Sequence, residues 1–427
     1  MKSVLEREAI RKWFVPMNCI LFVYFLELVF PPVTVIVDAT WVCAICMALW
    51  LFLSFIIDAR FYLNLNYRSF LALVFLVFSI FLPRLFGVTT IGNRYVGLGL
   101  LALGPIIFEF YKKHGMLRAL RNVIFGIIPF ITITLTITLY RLIEDPWISR
   151  SIKTSDEYSE SLAREGVGGY GFIYFMVVIT PVLLYIFLNS KLRRIKLLTA
   201  CAFILSVFFI LKSNYVTALL IAILASAVMV LYHIIGKNKG NIAVLILILI
   251  VAVLLLSNIN VIVNTFADII PKRIAKVLVT EDGTNVFVSV FEEFVIDRWP
   301  VMKTSIDGFF ENPLFGMITL GNNNLADYFF SGFGQHSHIL DTFSLLGVFG
   351  GIINLIVVFR PFRDENGKWV KGSAPLTAAM LVCVVGIYLF NNATSSIALA
   401  TSIIFPLLRE YYINPSAFKA PRLKEDA

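Results

Sequence analysis

Twelve long apolar runs, separated by short basic clusters, make up most of the chain. They centre on residues 14–36, 41–57, 69–86, 94–111, 122–143, 170–189, 197–212, 214–235, 241–263, 337–359, 375–390 and 396–413. A helix needs about 20 predominantly apolar residues to cross a bilayer, so each run predicts a membrane-spanning helix. Two stretches between runs have real length, 144–169 and 264–335. Within the second, Trp299, Met302, Ile306, Phe309 and Phe310 recur at helical spacing while Lys303, Asp307 and Glu311 fall elsewhere. That pattern predicts an amphipathic helix lying on the membrane surface. Asn312-Pro313 should end it, because a residue before proline is driven out of the helical region. No repeat relates two halves of the chain, which weakens an inverted-repeat transporter.

Composition excludes a soluble globule. With 59% hydrophobic and 15% charged residues over 427 positions, and mean hydropathy +0.86, there are too few charges to cover a water-facing surface. Residues 1–427 therefore read as one integral, all-α polytopic membrane domain. The net charge of +9 does not point to nucleic acid, because the basic residues come in short clusters rather than one stripe. With the N-terminus placed in the cytoplasm, 24 of the 36 lysines and arginines fall on the inner side, which is the positive-inside bias. Both termini are then cytoplasmic, and 144–169 and 264–335 become the two large outer loops. Lys2, Arg7, Arg11 and Lys12 precede the first run without a small-residue cleavage site, so it reads as a retained anchor. Cys19, Cys43, Cys46, Cys201 and Cys383 all sit in apolar runs and read as small hydrophobes, with no metal cluster around the Cys43/Cys46 pair.

Chemistry on the outer side concentrates between Asp297 and Gly351. His114 and His233 fall on the inner side, so a histidine base acting outside must be His336 or His338. Gly347 and Gly350 follow His336 at offsets that return to within roughly 40° of its direction on an ideal helix, whereas His338 points about 200° away. A helix starting at or just before His336 would use these glycines to pack tightly against a neighbour. His336 has a plainer reading as an interfacial histidine that caps or anchors the helix. Arg298 opens the surface helix; its planar fork suits a phosphate, and a snorkelling arginine beside Trp299 fits equally. Arg164 precedes Gly166-Val167-Gly168-Gly169-Tyr170-Gly171, a turn able to aim amides at a phosphate or simply to connect loop to helix. Arg84, Arg94, Arg141, Arg150, Lys272 and Arg273 are further outward cations, and Glu27, Glu109 and Lys212 lie closest to span interiors without a visible role.

His336-Ser337, nine residues, Gly347, two residues, Gly350 resembles the signature of the O-antigen ligase and Wzy-type O-antigen or capsule polymerase superfamily. The resemblance selects His336 over His338. It extends to Arg298 followed by a surface helix ending in Asn312-Pro313-Leu314-Phe315-Gly316, and more loosely to Arg164-Glu165-Gly166. One departure is Ser213-Asn214-Tyr215, where members often carry a Ser-Arg pair.

The resemblance implies a GT-C-like architecture and a metal-independent inverting glycosyltransferase of the bacterial inner membrane, without cofactor. Its donor would be an undecaprenyl-diphosphate-linked oligosaccharide. His336 would be the base, Arg298 and Arg164 the partners of the diphosphate, and a chain-length regulator and a flippase the partners in the pathway. An O-antigen ligase acting on lipid A core shares the motif. A polytopic transporter or lipid-glycan flippase is the rival from another class.

Overall fold

The computed structural model describes residues 4–152, 157–235, 299–321, 336–364, 368 and 373–418. The expected run 241–263, Arg298, and most of 264–335 lie outside the described residues. Every element among the described residues is a helix, and nine helical segments are long and apolar enough to cross a membrane. The protein is accordingly an all-α, multi-pass membrane protein.

The chain begins with α1 (Val4–Val29), the short α2 (Pro31–Ile36), α3 (Ala39–Leu63) and α4 (Tyr67–Leu85). The apolar run at 94–111 is not one helix but two, α5 (Thr89–Gly97) and α6 (Gly99–Lys113), joined at Leu98. α7 (Leu117–Glu144), the short helices α8 (Ile148–Ser151) and α9 (Glu157–Glu165), α10 (Tyr170–Asn189), α11 (Arg193–Lys212) and α12 (Val216–Ile235) follow. The surface helix α13 (Trp299–Glu311) precedes α14 (His338–Phe359), α15 (Ala374–Phe390) and a C-terminal helix built of α16 (Ser395–Leu399), a π-turn (Ala400–Ile404) and α17 (Phe405–Ile413).

α6 runs through the middle. Its side chains from Gly99 to Phe108 are all buried, and it packs on α4, α14, α16 and the π-turn. Gly104 permits the closest approach: a Cβ there would lie 2.6 Å from the Ser402 Cβ. The C-terminal helix thus widens by one residue where it meets the small face of α6, the kind of local insertion a π-turn supplies.

α13 forms where the sequence predicts it, between Trp299 and the stop at Asn312-Pro313. Its protein-facing side, however, is Ser305 and Gly308, set against α14. Trp299 and Phe310, together with Leu314, Phe315 and Phe349 beyond the helix, remain exposed. Exposed large apolar side chains of this kind suit contact with a bilayer.

Candidate functional site

Asn391–Thr394, the link between α15 and α16, is non-helical, so its peptide groups and amide side chains must find partners outside a helix. They find them on three other elements. The His338 amide donates to the Asn391 carbonyl at 3.0 Å, and the Tyr174 hydroxyl donates to Asn391 Oδ1 at 3.1 Å. The Arg94 guanidinium donates to Asn392 Oδ1 at 2.9 Å, and the Tyr170 hydroxyl to the Asn392 carbonyl at 3.5 Å. Ser396 donates to the Gly171 carbonyl at 3.0 Å and Ser395 to that of Gly97. One end of the bundle is thereby tied together around a polar link. The run Asn391-Asn392-Ala393-Thr394-Ser395-Ser396, between two apolar runs, is the signal in the sequence that could have marked it.

His336 sits at the same end. The helix does not begin at it but at His338, with Ser337 as N-cap: the Ser337 Oγ accepts from the Leu340 amide at 3.2 Å. Asp341 closes the cap from the other side, accepting from the backbone amides of Ser337, at 3.3 Å, and His336. Its other oxygen accepts from Ser305 Oγ of α13 at 2.7 Å, and Arg94 lies 3.9 Å away. A buried carboxylate is tolerated only when held in this way. Asp341 therefore fixes the backbone that carries His336 and links it to the surface helix and to Arg94. Asp341→Ala is expected to cost about 2 to 4 kcal/mol, the sum of a lost helix cap and stranded buried donors. Thermal unfolding of the purified protein in detergent measures it, and an unchanged Tm would contradict the assignment.

The two histidines differ sharply. His338 is 1% exposed, with Nε2 3.2 Å from Asn354 Oδ1 and its ring 5.2 Å from that of Tyr388. It is a core residue. His336 is half-buried, ahead of the cap.

Gly347 is not a smooth helical position. It has φ 67° and ψ −170°, a conformation essentially confined to glycine, and it breaks α14 into two pieces. The ideal-helix relation between His336 and the glycines therefore stops there. The close approach expected at Gly347 is present, yet it is made by a loop rather than by a membrane helix. A Cβ on Gly347 would lie 2.2 Å from the Leu314 carbonyl oxygen, and one on Gly316 (φ 77°) would lie 2.3 Å from that of Leu345. The Val348 amide donates to the Pro313 carbonyl at 2.7 Å. Asn312-Pro313-Leu314-Phe315-Gly316 thus threads into the notch of α14, backbone against backbone. Gly350 is buried, and the space a side chain would need there is filled by Leu346 of the preceding turn.

A second cation, Arg150 of α8, stands over the Tyr215 ring at 4.4 Å and the Trp147 ring at 4.9 Å, and donates to the Asn214 carbonyl at 3.1 Å. Asn214 takes a left-handed φ of 57° in the link between α11 and α12. Tyr215 lies 6.0 Å, ring to ring, from both Tyr170 and Tyr174. Burial pushes its phenol up to about 12, against the pull of Arg150, so it stays neutral.

Arg164 behaves differently. It is 70% exposed at the end of α9, 3.7 Å from Glu160, an i,i+4 pair that solvent screens. α9 packs on α2, and Gly166 beside it approaches Ile137 and Pro32. The structure brings Arg94 and Arg150, rather than Arg164, into the network that holds His336 and the Asn391–Thr394 link. Arg94 and Arg150 were two of several outward cations in the sequence, and their partners Asn392 and Asn214 are 298 and 64 residues away.

Comparison of the chain with family models, with curated proteins and with solved structures gives no match.

Proposed function

We propose that the protein is a membrane glycosyltransferase that polymerises polysaccharide repeat units, moving a glycan chain from its undecaprenyl-diphosphate carrier to the next lipid-linked unit. On this reading it has about twelve spans in a GT-C-like arrangement, lies in the bacterial inner membrane, and acts on the outer face. The observation that supports it is the interlock of the two segments that carry the resemblance. Asn312–Gly316 and the His336-to-Gly350 helix form one backbone-on-backbone unit, with His336 at its polar end.

The chemistry follows from that end of the bundle. A departing lipid diphosphate gathers negative charge, which preorganised guanidinium groups stabilise. Arg94 and Arg150 join Arg298 and Arg164 as the cations for it. Arg150 delivers a guanidinium to Asn214, where the resemblance would place an arginine. As the acceptor hydroxyl bonds to the anomeric carbon and the bond to the diphosphate breaks, His336 takes the hydroxyl proton. Tyr170, part-buried in front of the buried Tyr174 and Tyr215, offers an aromatic ring beside this path, suited to sugar.

The test is reconstitution of the purified protein in vesicles with an undecaprenyl-diphosphate-linked oligosaccharide and a chelator. A ladder of longer lipid-linked glycans, with release of undecaprenyl diphosphate, is expected; absence of both would refute the reading. In cells lacking the gene, single-unit glycan supports a polymerase. Full-length polymer stranded on the carrier would instead assign the same chemistry to a ligase.

A further inference from the structure

At the other end of the bundle, the helices close around a cavity of about 380 Å³ with an amphiphilic lining. Arg360 lies just past the end of the 22-residue α14, at the opposite end from His338. Arg360 is buried; it pairs with Glu109 of α6 and donates to the Arg363 carbonyl at 3.1 Å. The other Glu109 oxygen accepts from Ser69 at 2.9 Å, so that carboxylate is fully engaged. Glu410 is paired with Lys112 at 3.2 Å, and Asp364 accepts from the Lys368 amide at 2.8 Å.

Arg409 is held differently from Arg360 and Lys112. It is 6% exposed, and it lines the cavity. One guanidinium nitrogen donates to the Pro361 carbonyl, and the group stands 5.2 Å from the Phe405 ring. Its Nε is buried with no hydrogen-bond partner, and it makes no ion pair among the described residues. A permanent charge in that position is costly unless an anion joins it. Glu410 and Asp364 act on the Arg409 charge without pairing with it, and each is held by another group, which leaves room in the cavity for an added anion beside the guanidinium. Beside the charges, Pro105, Phe108, Pro406 and Ile413 form an apolar wall, and Ile413 is 42% exposed.

We propose that this cavity binds the headgroup phosphate of an anionic phospholipid, held by Arg409 with Arg363 at its side, while the acyl chains lie along the apolar wall. The ligand is an amphiphile because the lining is: guanidinium groups for the phosphate and hydrocarbon for the chain. The site is separate from the His336 end and does not depend on the reaction assigned there.

Native mass spectrometry of the full-length protein, with phosphatidylglycerol and phosphatidylcholine of identical chains, tests it. Wild type should retain phosphatidylglycerol about tenfold better, and Arg409→Gln should reduce that preference to near unity, the loss expected for one guanidinium–phosphate contact. Equal retention of the two lipids by wild type would overturn the proposal, as would a preference that survives both Arg409→Gln and Arg363→Gln. Displacement of the lipid by millimolar inorganic phosphate would overturn the lipid assignment in favour of a soluble phosphate site. Should Arg409→Gln fail to fold, the wild-type comparison and Arg363→Gln decide the matter.

Discussion

Gly347→Ala is expected to destabilise the protein by about 4 kcal/mol, a large share of the few to fifteen that hold a typical fold together. Two costs combine. The backbone at Gly347 (φ 67°, ψ −170°) is nearly forbidden to any residue with a Cβ, worth about 1 to 3 kcal/mol. The new methyl would also stand 2.2 Å from the Leu314 carbonyl oxygen and 2.6 Å from the Phe315 nitrogen, a clash with backbone that no side-chain rotation relieves, adding about 1 to 3 kcal/mol. Gly316→Ala meets the mirror situation, with the Leu345 carbonyl at 2.3 Å. Since both substitutions open the same interlock, the double variant should lose clearly less than the sum of the two. Thermal unfolding of the four proteins in one detergent measures this. Full additivity would show that the Asn312–Gly316 segment and the α14 notch are not one unit. Gly350→Ala has a smaller expected effect, because what it meets is the Leu346 side chain rather than backbone.

His336→Ala should lower glycan extension by about 10² to 10⁴, the usual contribution of a general base, and leave the stability within about 1 kcal/mol of wild type. His338→Ala should do the reverse. Removing that buried ring strands the Asn354 amide and opens a hole against Tyr388, with an expected loss of about 2 to 4 kcal/mol. Turnover per folded molecule should survive. Measuring both properties on both variants separates the roles: a His336→Ala protein that extends lipid-linked glycan at the wild-type rate would remove the base from the proposed mechanism, whatever its stability.

The contrast between the two histidines marks the boundary of what could be read from the chain. Position along the apolar pattern places both at the mouth of one run. That His338 turns inward onto Asn354 depends on where the helix starts, and Ser337 and Asp341 set that start from both sides of the cap. Arg164 illustrates the converse. It stands before a glycine-rich turn of inviting composition, yet α9 leaves it in solvent paired with Glu160. Arg94 sits in a run that reads as a single apolar span, and its role appears because the chain breaks at Leu98 and Asn392 arrives from far along the sequence.

Apolar periodicity and length, with the Asn-Pro stop and the glycine spacing, determined that this chain is a helical multi-pass membrane protein, that a helix begins near Trp299 and stops at Asn312-Pro313, and that Gly347 is a place of close approach. These are local properties: burial of apolar surface, backbone satisfaction within a helix, and proline geometry act within a few residues. Only the tertiary structure decided what makes that approach, which cations stand near His336, and that Arg409 is buried with no ion pair among the described residues. Those outcomes rest on pairings between residues tens to hundreds apart, where each polar group takes whichever partner the packing of the helices leaves within reach.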